Sequence, residues 1–335
     1  MRACIYGAGS LGTVLGAYFS KAHESVDLIS QDESHVHALN TYGAKITGTV
    51  DFVQAVRALL PSQMTDQYDI IFLMTKHLHN RDVAQYLRAY LSPLGVVVCL
   101  QNGIPEPGLI EDLGVHHVLG CVAEWNAVRI APGCCELMSK PRQMVFRMGV
   151  NTYVSAIVRS EVWRLLSKVG TVMMEADLAG VRWSKLLFHA PFSGLGTVIG
   201  GTVGDVLRDR HVRSLAVQCM KEIIDVGHAA RVTFSPTYGN NIIHLFDCYN
   251  IVRQKLVEML LPITMRRYVN IEPVMLQDVR HNEKCEVNAI NGVICDYGRR
   301  YGVPTPINDG IWSLILQIEE HEIPIMHDNY RALLN

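Results

Sequence analysis

The sequence predicts an α/β domain built on a parallel sheet, followed by an all-helical domain, and three observations carry that expectation. The 335-residue length amounts to two domains at roughly 150 residues each. Apolar strand-like runs alternate with helical patterns up to residue 176, the arrangement that winds into a parallel sheet. From 178 to 320 long helical patterns dominate and strand signals fade. The boundaries expected are therefore 1–176 and 177–335.

Arg2-Ala3-Cys4-Ile5-Tyr6 reads as a short buried strand that runs into Gly7-Ala8-Gly9-Ser10-Leu11-Gly12 and then into a helical pattern from Thr13 to Lys21. A second strand, Val26 to Ser30, follows at the interval that closes a βαβ unit. In such a unit the first glycine makes the tight turn, the second admits a pyrophosphate to the backbone, and the third lets helix and strand pack closely. Strand, glycine turn, helix and strand in this order make a Rossmann-type dinucleotide site of Gly7, Gly9, Ser10, Leu11 and Gly12. The end of the second strand selects the cofactor, because an acid there bonds the ribose hydroxyls of NAD and an arginine pairs with the 2′-phosphate of NADP. Gln31 is neutral and Asp32 acidic, a weak lean toward NAD. Asp32 serves equally well as the cap of a helix starting near His35.

Further strands are expected at Asp69–Met74, Gly95–Leu100 and His117–Val122, with an amphipathic helix from Val83 to Leu91 between the first two. Residues 123–148 change character, and the Pro132-Gly133 turn with the run Met144–Met148 suggests an antiparallel extension. Ligands of open α/β sheets lie beyond the carboxyl ends of the strands. Two polar clusters fall there, Thr75-Lys76-His77 and Gln101-Asn102-Gly103. Both are expected to face the nicotinamide, with ordinary polar turns as the alternative.

Composition excludes several classes. Apolar residues make up 49% of the chain and charged ones 19%, which excludes disorder. Thirty basic against 32 acidic side chains leave a net charge of −2, so no overall basic field attracts nucleic acid or an anionic membrane. The nine cysteines contain no C-x-x-C spacing, so no zinc or other metal site is expected. Reduced, structural thiols, Cys134 and Cys135 included, are the expectation. A strand entered at Arg2 and the lack of an apolar run of about 18 residues lead to the expectation of a soluble, cytoplasmic chain.

In the helical half, Lys185 and His189 stand four residues apart on an apolar helix and project from one face. Pro191 should kink or break that helix. Much later, Met275-Leu276-Gln277-Asp278-Val279 precedes Cys285-Glu286 and Asn291-Gly292. Lys185 and Glu286 form either a buried ion pair without function or working groups.

The GxGxxG start, Gln101-Asn102-Gly103, Ala131-Pro132-Gly133, Trp183-Ser184-Lys185-Leu186, the 275–279 run with Glu286 and Asn291-Gly292, and Gly302-Val303-Pro304-Thr305-Pro306 resemble, in order and spacing, the ketopantoate reductase family. The resemblance spans 1–235 and 274–320. It implies a Rossmann domain joined to a helical domain like that of 6-phosphogluconate dehydrogenases, and NADPH-dependent reduction of a 2-oxo acid to a 2-hydroxy acid, the 2-dehydropantoate step of pantothenate biosynthesis. By the same resemblance Lys185 is the catalytic lysine, Glu286 the glutamate that orients it, Asn102 the asparagine that positions nicotinamide or substrate, and Lys76 a cofactor contact. NADP is the family's cofactor, and a homodimer is implied for the helical half.

The departures are specific. His189 and Ser193 stand where the family shows asparagines, Val274 where it shows a substrate-binding serine, and Gln31 where it shows the NADP-pairing arginine. His189, Ser193 and Val274 are thus the positions at which a changed substrate is expected, a branched or aromatic 2-oxo acid in place of ketopantoate. An opine-type dehydrogenase and a catalytically silent dinucleotide-sensing protein are the alternatives. The segment 236–273 and the tail after 320 match nothing in the family pattern and are expected to serve packing or subunit contact.

Overall fold

The computed structural model describes residues 1–236 and 251–334, and divides the chain into two compact units, Met1–Leu178 and Ala179–Asn335. Residues 237–250, part of the unmatched segment, lie outside the described residues.

The first unit begins β1 (Ala3–Tyr6), α1 (Ser10–Lys21), β2 (Val26–Ile29), α2 (Glu33–Tyr42), β3 (Ala44–Gly48), β4 (Phe52–Gln54), β5 (Arg57–Leu59). It continues β6 (Tyr68–Leu73), α3 (Asn80–Arg88), β7 (Leu91–Cys99), α4 (Glu106–Leu113), β8 (Val118–Ala123), β9 (Ala127–Ala131), β10 (Cys134–Leu137), β11 (Val145–Gly149), α5 (Ala156–Leu166) and β12 (Thr171–Glu175). Its main sheet has eight strands in the order β12-β11-β8-β7-β6-β1-β2-β5. From β5 to β8 the pairing is parallel. β1, β2 and β8 are buried at every residue, which is why they are written mainly in apolar residues: both faces are covered. The exception is Asp27 of β2, which accepts from the Tyr68 hydroxyl at 2.8 Å.

The antiparallel extension expected over 123–148 is only partly realised. β11 joins the main sheet antiparallel to β8, and β12 then pairs parallel with β11. β9 and β10 instead join a second sheet, β4-β3-β10-β9, in which Cys134 faces Lys45. Each strand of that sheet has five residues or fewer, too short for a period of two to stand out, and its central pairing joins segments distant in sequence.

The second unit holds α6 (Leu178–Ile199), α7 (Val203–Arg208), α8 (Arg210–Ala229), α9 (Ile251–Thr264), α10 (Val274–Arg280), α11 (Val293–Tyr301) and α12 (Pro306–Glu319), and no strand among the described residues. A single π turn, Asn288–Gly292, leads into α11. Thr202 and Asp205 form a reciprocal capping box on α7, and Asp209 caps α8 through the amides of His211 and Val212, which fixes the abrupt α7–α8 corner.

Pro191 does not break α6, which is continuous over 22 residues. An interior proline costs about 3 kcal/mol, but every residue from Ala190 to Ile199 is buried. Burial of Phe192, Leu195, Val198 and Ile199 returns about 1.5–3 kcal/mol for each large side chain, so packing outweighs the lost hydrogen bond.

No helix among the described residues is long and apolar enough to cross a membrane. The eight described cysteines are free thiols, all buried except the half-buried Cys134.

Candidate active site

The glycine turn is sterically specified. Gly7 has φ +105°, and a Cβ there would lie 2.4 Å from the Thr75 backbone nitrogen. A Cβ on Gly12 would lie 2.3 Å from the Gly7 carbonyl oxygen. Gly9 is the opposite case, because nothing stands within 4 Å of its missing Cβ. It precedes α1, whose N-terminus has no side-chain cap and no acid in its first turn, which opens with Ser10, Leu11 and Gly12. An uncapped helix N-terminus beside open backbone fits the pyrophosphate of a dinucleotide.

At the end of β2, Gln31 is exposed and Asp32 is a cap. The Asp32 carboxylate accepts from the His35 amide at 3.0 Å, from Ser34 Oγ at 2.6 Å and from Arg129 Nη1 at 2.9 Å. The Ser34 hydroxyl, the His35 amide and the Arg129 charge hold this carboxyl below the usual range. Asp32 thus fills the capping role expected of it.

His35 is fully buried. Its Nδ1 accepts from the Gly133 amide at 3.0 Å, so the proton sits on Nε2, which lies 2.9 Å from Thr13 Oγ1. Thr13 Oγ1 in turn donates to the Ala8 carbonyl at 3.2 Å. Burial, then the nearby Arg129 charge, pushes the His35 pKa down, so the ring is a neutral link from the β9–β10 turn to the glycine turn. Neither His35 nor Arg129 was singled out by sequence reasoning; the partners of both lie far along the chain.

Beyond β6 and β7 the expectation for the polar clusters divides. Gln101 is turned into the protein: it is 3% exposed, and its Nε2 donates to the Thr75 carbonyl and Oγ1 at 3.1 Å and to Asn80 Oδ1 at 2.7 Å. Asn80 donates back at 2.8 Å. Gln101 thus clamps the loop that carries Lys76 to the start of α3. Lys76 and Asn102 are half-buried and both engaged by neighbouring groups, and Gly103 turns the chain with φ +77°.

In the helical unit, Lys185, His189 and Ser193 follow one another at four-residue intervals along α6. His189 is set deep among protein atoms although part of its surface stays accessible; burial first, then the Lys185 charge, pushes its pKa down to about 3. A ring held neutral can exchange hydrogen bonds with a substrate but cannot act as a cation for its carboxylate. Ser193 Oγ and Asn291 Oδ1 are buried with no hydrogen-bond partner among the described residues.

Asn291 is held against α6 by a chain of polar groups. Its Nδ2 lies 3.5 Å from the Ala190 carbonyl and donates to Asn308 Oδ1 at 3.1 Å. Asn308 Nδ2 in turn donates to Glu222 at 2.7 Å. Glu222 also accepts the amides of Ile307 and Asn308 at 2.8 and 3.0 Å, capping α12 from α8. Glu286, half-buried and engaged by neighbours, opens the π turn by accepting the Ala289 and Ile290 amides on its carbonyl. Val274, the first residue of α10, is 58% exposed and offers no polar group.

Comparisons with known proteins bear on the family and the fold. Residues 3–149 match the family model for ketopantoate reductase PanE/ApbA, and residues 177–319 match its C-terminal counterpart. A 2-dehydropantoate 2-reductase of Streptococcus pyogenes is 22% identical over 318 residues, 94% of this chain and 97% of that protein. One of Pyrococcus horikoshii is 24% identical over the same share of this chain and 96% of its own. Among solved structures, D-mandelate dehydrogenase with NADH and anilino(oxo)acetate superposes with a TM-score of 0.81 at 20% identity, covering 96% of this chain and 99% of that one. A PanE/ApbA family ketopantoate reductase from Ralstonia eutropha gives 0.80, also at 20% identity and with the same coverages. With its glycine turn, its helical second unit and family matches to both, the chain belongs to the ketopantoate reductase family of NAD(P)-dependent oxidoreductases.

Proposed function

We propose that the protein reduces a 2-oxo acid to the 2-hydroxy acid with a nicotinamide dinucleotide. The observation that carries the reading is the contrast at the glycine turn: Gly7 and Gly12 are closed by protein, and Gly9 faces open space beside an uncapped helix. The cofactor, when bound, supplies the hydride. The chain's own part is then to deal with charge developing on the carbonyl oxygen. Lys185 is the group suited to that, since an ammonium on an apolar helix polarises an oxygen far more strongly than in water and can hand it a proton. Glu286 orients Lys185, and Asn102 with Lys76 positions the cofactor and the substrate.

The substrate we favour is a 2-oxo acid with an apolar, branched or aromatic side chain rather than ketopantoate. Val274 offers a hydroxylated substrate nothing to bond, and His189, held neutral, can offer a substrate only a hydrogen bond and no charge. The solved structure of D-mandelate dehydrogenase with NADH and anilino(oxo)acetate supports this reading, because the compound held there is an aromatic oxo acid. The experiment is to follow NADH and NADPH oxidation by absorbance against a panel of 2-oxo acids that includes ketopantoate, phenylpyruvate and branched-chain 2-oxo acids. Turnover with apolar members above ketopantoate supports the reading. Tight dinucleotide binding with no turnover on any of them would make the protein a sensor instead.

A further inference from the structure

We propose that Arg129 grips the 2′-phosphate of NADPH, doing from β9 what residue 31 cannot. The proposal rests on the dinucleotide reading above and names the feature of the cofactor that the adenosine end recognises.

Position comes first. In a βαβ unit of this kind the adenosine ribose lies at the end of the second strand. Here that place is taken by exposed Gln31, which has no charge, and by Asp32, which Arg129 reaches at 2.9 Å. Charge comes second. A lone carboxylate there would repel a 2′-phosphate, but Asp32 is neutralised by Arg129. Among the described residues Arg129 commits only Nη1, to Asp32. Nη2 and Nε remain, and a planar guanidinium fork presents such a pair in the geometry that phosphate oxygens accept. The side chain is 41% exposed, open to a ligand.

The alternative occupant is the bare 2′,3′-diol of NADH, and Asp32 is poorly placed to hold it. Oδ1 already accepts from Ser34 and His35, and Oδ2 from Arg129. With about four acceptor positions on a carboxylate, one remains for two hydroxyls. The weak lean of the sequence toward NAD is thereby reversed.

Arg129 is also held in place. It faces Cys135 across the β9–β10 pair. The turn of that hairpin is tied through the Gly133 amide to His35, and through Thr13 to the Ala8 carbonyl beside the pyrophosphate cradle. The cation and the cradle belong to one hydrogen-bonded frame, so little ordering is required when the ligand arrives.

The test is calorimetric titration of the intact protein with 2′,5′-ADP and 5′-AMP, two adenosine fragments that differ by the phosphate in question. The wild type should bind 2′,5′-ADP at least about tenfold tighter, as expected for one charge-assisted pair. Arg129→Gln should bring that ratio to about one or below, since Asp32 then faces the phosphate without its cation, while leaving 5′-AMP binding and the thermal midpoint unchanged, and Arg129→Lys should restore part of it. Asp32→Asn keeps a good cap and should tighten 2′,5′-ADP further by removing the competing carboxylate. An unchanged ratio in Arg129→Gln, or a wild-type preference for 5′-AMP, overturns the proposal. If the wild type binds neither fragment nor either whole dinucleotide, the dinucleotide reading itself fails and the proposal with it.

Discussion

His35 Nε2 and Thr13 Oγ1 meet at 2.9 Å in the interior of the first unit, and that bond joins the glycine turn to a hairpin distant in sequence. His35→Ala should destabilise the first unit by about 2–4 kcal/mol, the cost of a small cavity plus an unsatisfied Gly133 amide. Urea unfolding measures it. Dinucleotide affinity should fall as well, because Thr13, which donates to the Ala8 carbonyl, loses the His35 ring that orients its hydroxyl; a variant with wild-type stability and affinity would show the link to be idle.

Gly9 and Gly12 should fail in different ways. Gly12→Ala forces a methyl to 2.3 Å from the Gly7 oxygen and should unfold or severely destabilise the unit, whereas Gly9→Ala places its methyl in open space. We expect Gly9→Ala to melt like the wild type and to lose at least about tenfold in dinucleotide affinity, because its methyl occupies the pyrophosphate's approach. Circular dichroism together with a binding titration separates the two.

Lys185→Ala should lower kcat by about 10²–10⁴ fold, the range for loss of a general acid, with dinucleotide affinity unchanged. Steady-state kinetics on the best 2-oxo acid gives the first quantity and cofactor titration the second. Equal loss in both would mean that the lysine holds structure and does no chemistry.

His35 and His189 are both held neutral, His189 with a pKa of about 3. Their folded values lie below the unfolded value of about 6.5, so between the two the unfolded chain binds more protons. Stability is complete above pH 6.5 and drains away as the pH falls toward the folded values, at up to about 1.4 kcal/mol per pH unit for each ring. Thermal midpoints should therefore decline from pH 7 to pH 5. His189→Gln should flatten the decline of the helical unit, and identical profiles for variant and wild type would remove His189 as a cause.

The parallel sheet was legible because β1, β2, β6 and β8 are almost wholly buried and so spell themselves mainly in apolar residues, Asp27 and Asp69 excepted. The glycine turn was legible because its three glycines stand where a buried strand passes into a helix within a dozen residues, and the Gly12 contact with the Gly7 carbonyl is itself local. The second sheet was not, since three- to five-residue strands with exposed positions carry no period. Gln101 was misread for a related reason: a polar residue after a strand looks the same whether it meets a ligand or, as here, Thr75 and Asn80. Arg129 and Asn308 owe their roles to partners far along the chain, which no local pattern records. Pro191 was overestimated because a local cost was weighed without the buried half of α6 around it.

The tightness of Gly7 and Gly12 also bears on how such a protein can be re-engineered or drift. Neither position tolerates even one added methyl group, so the pyrophosphate end is closed to variation and any lineage that changes its cofactor must do so elsewhere. The adenosine end, with exposed Gln31 and Arg129 reaching Asp32 from another strand, is where substitutions are cheap. A library randomised at 31, 32 and 129 with the glycines left alone is therefore the shortest route to a variant of chosen cofactor preference.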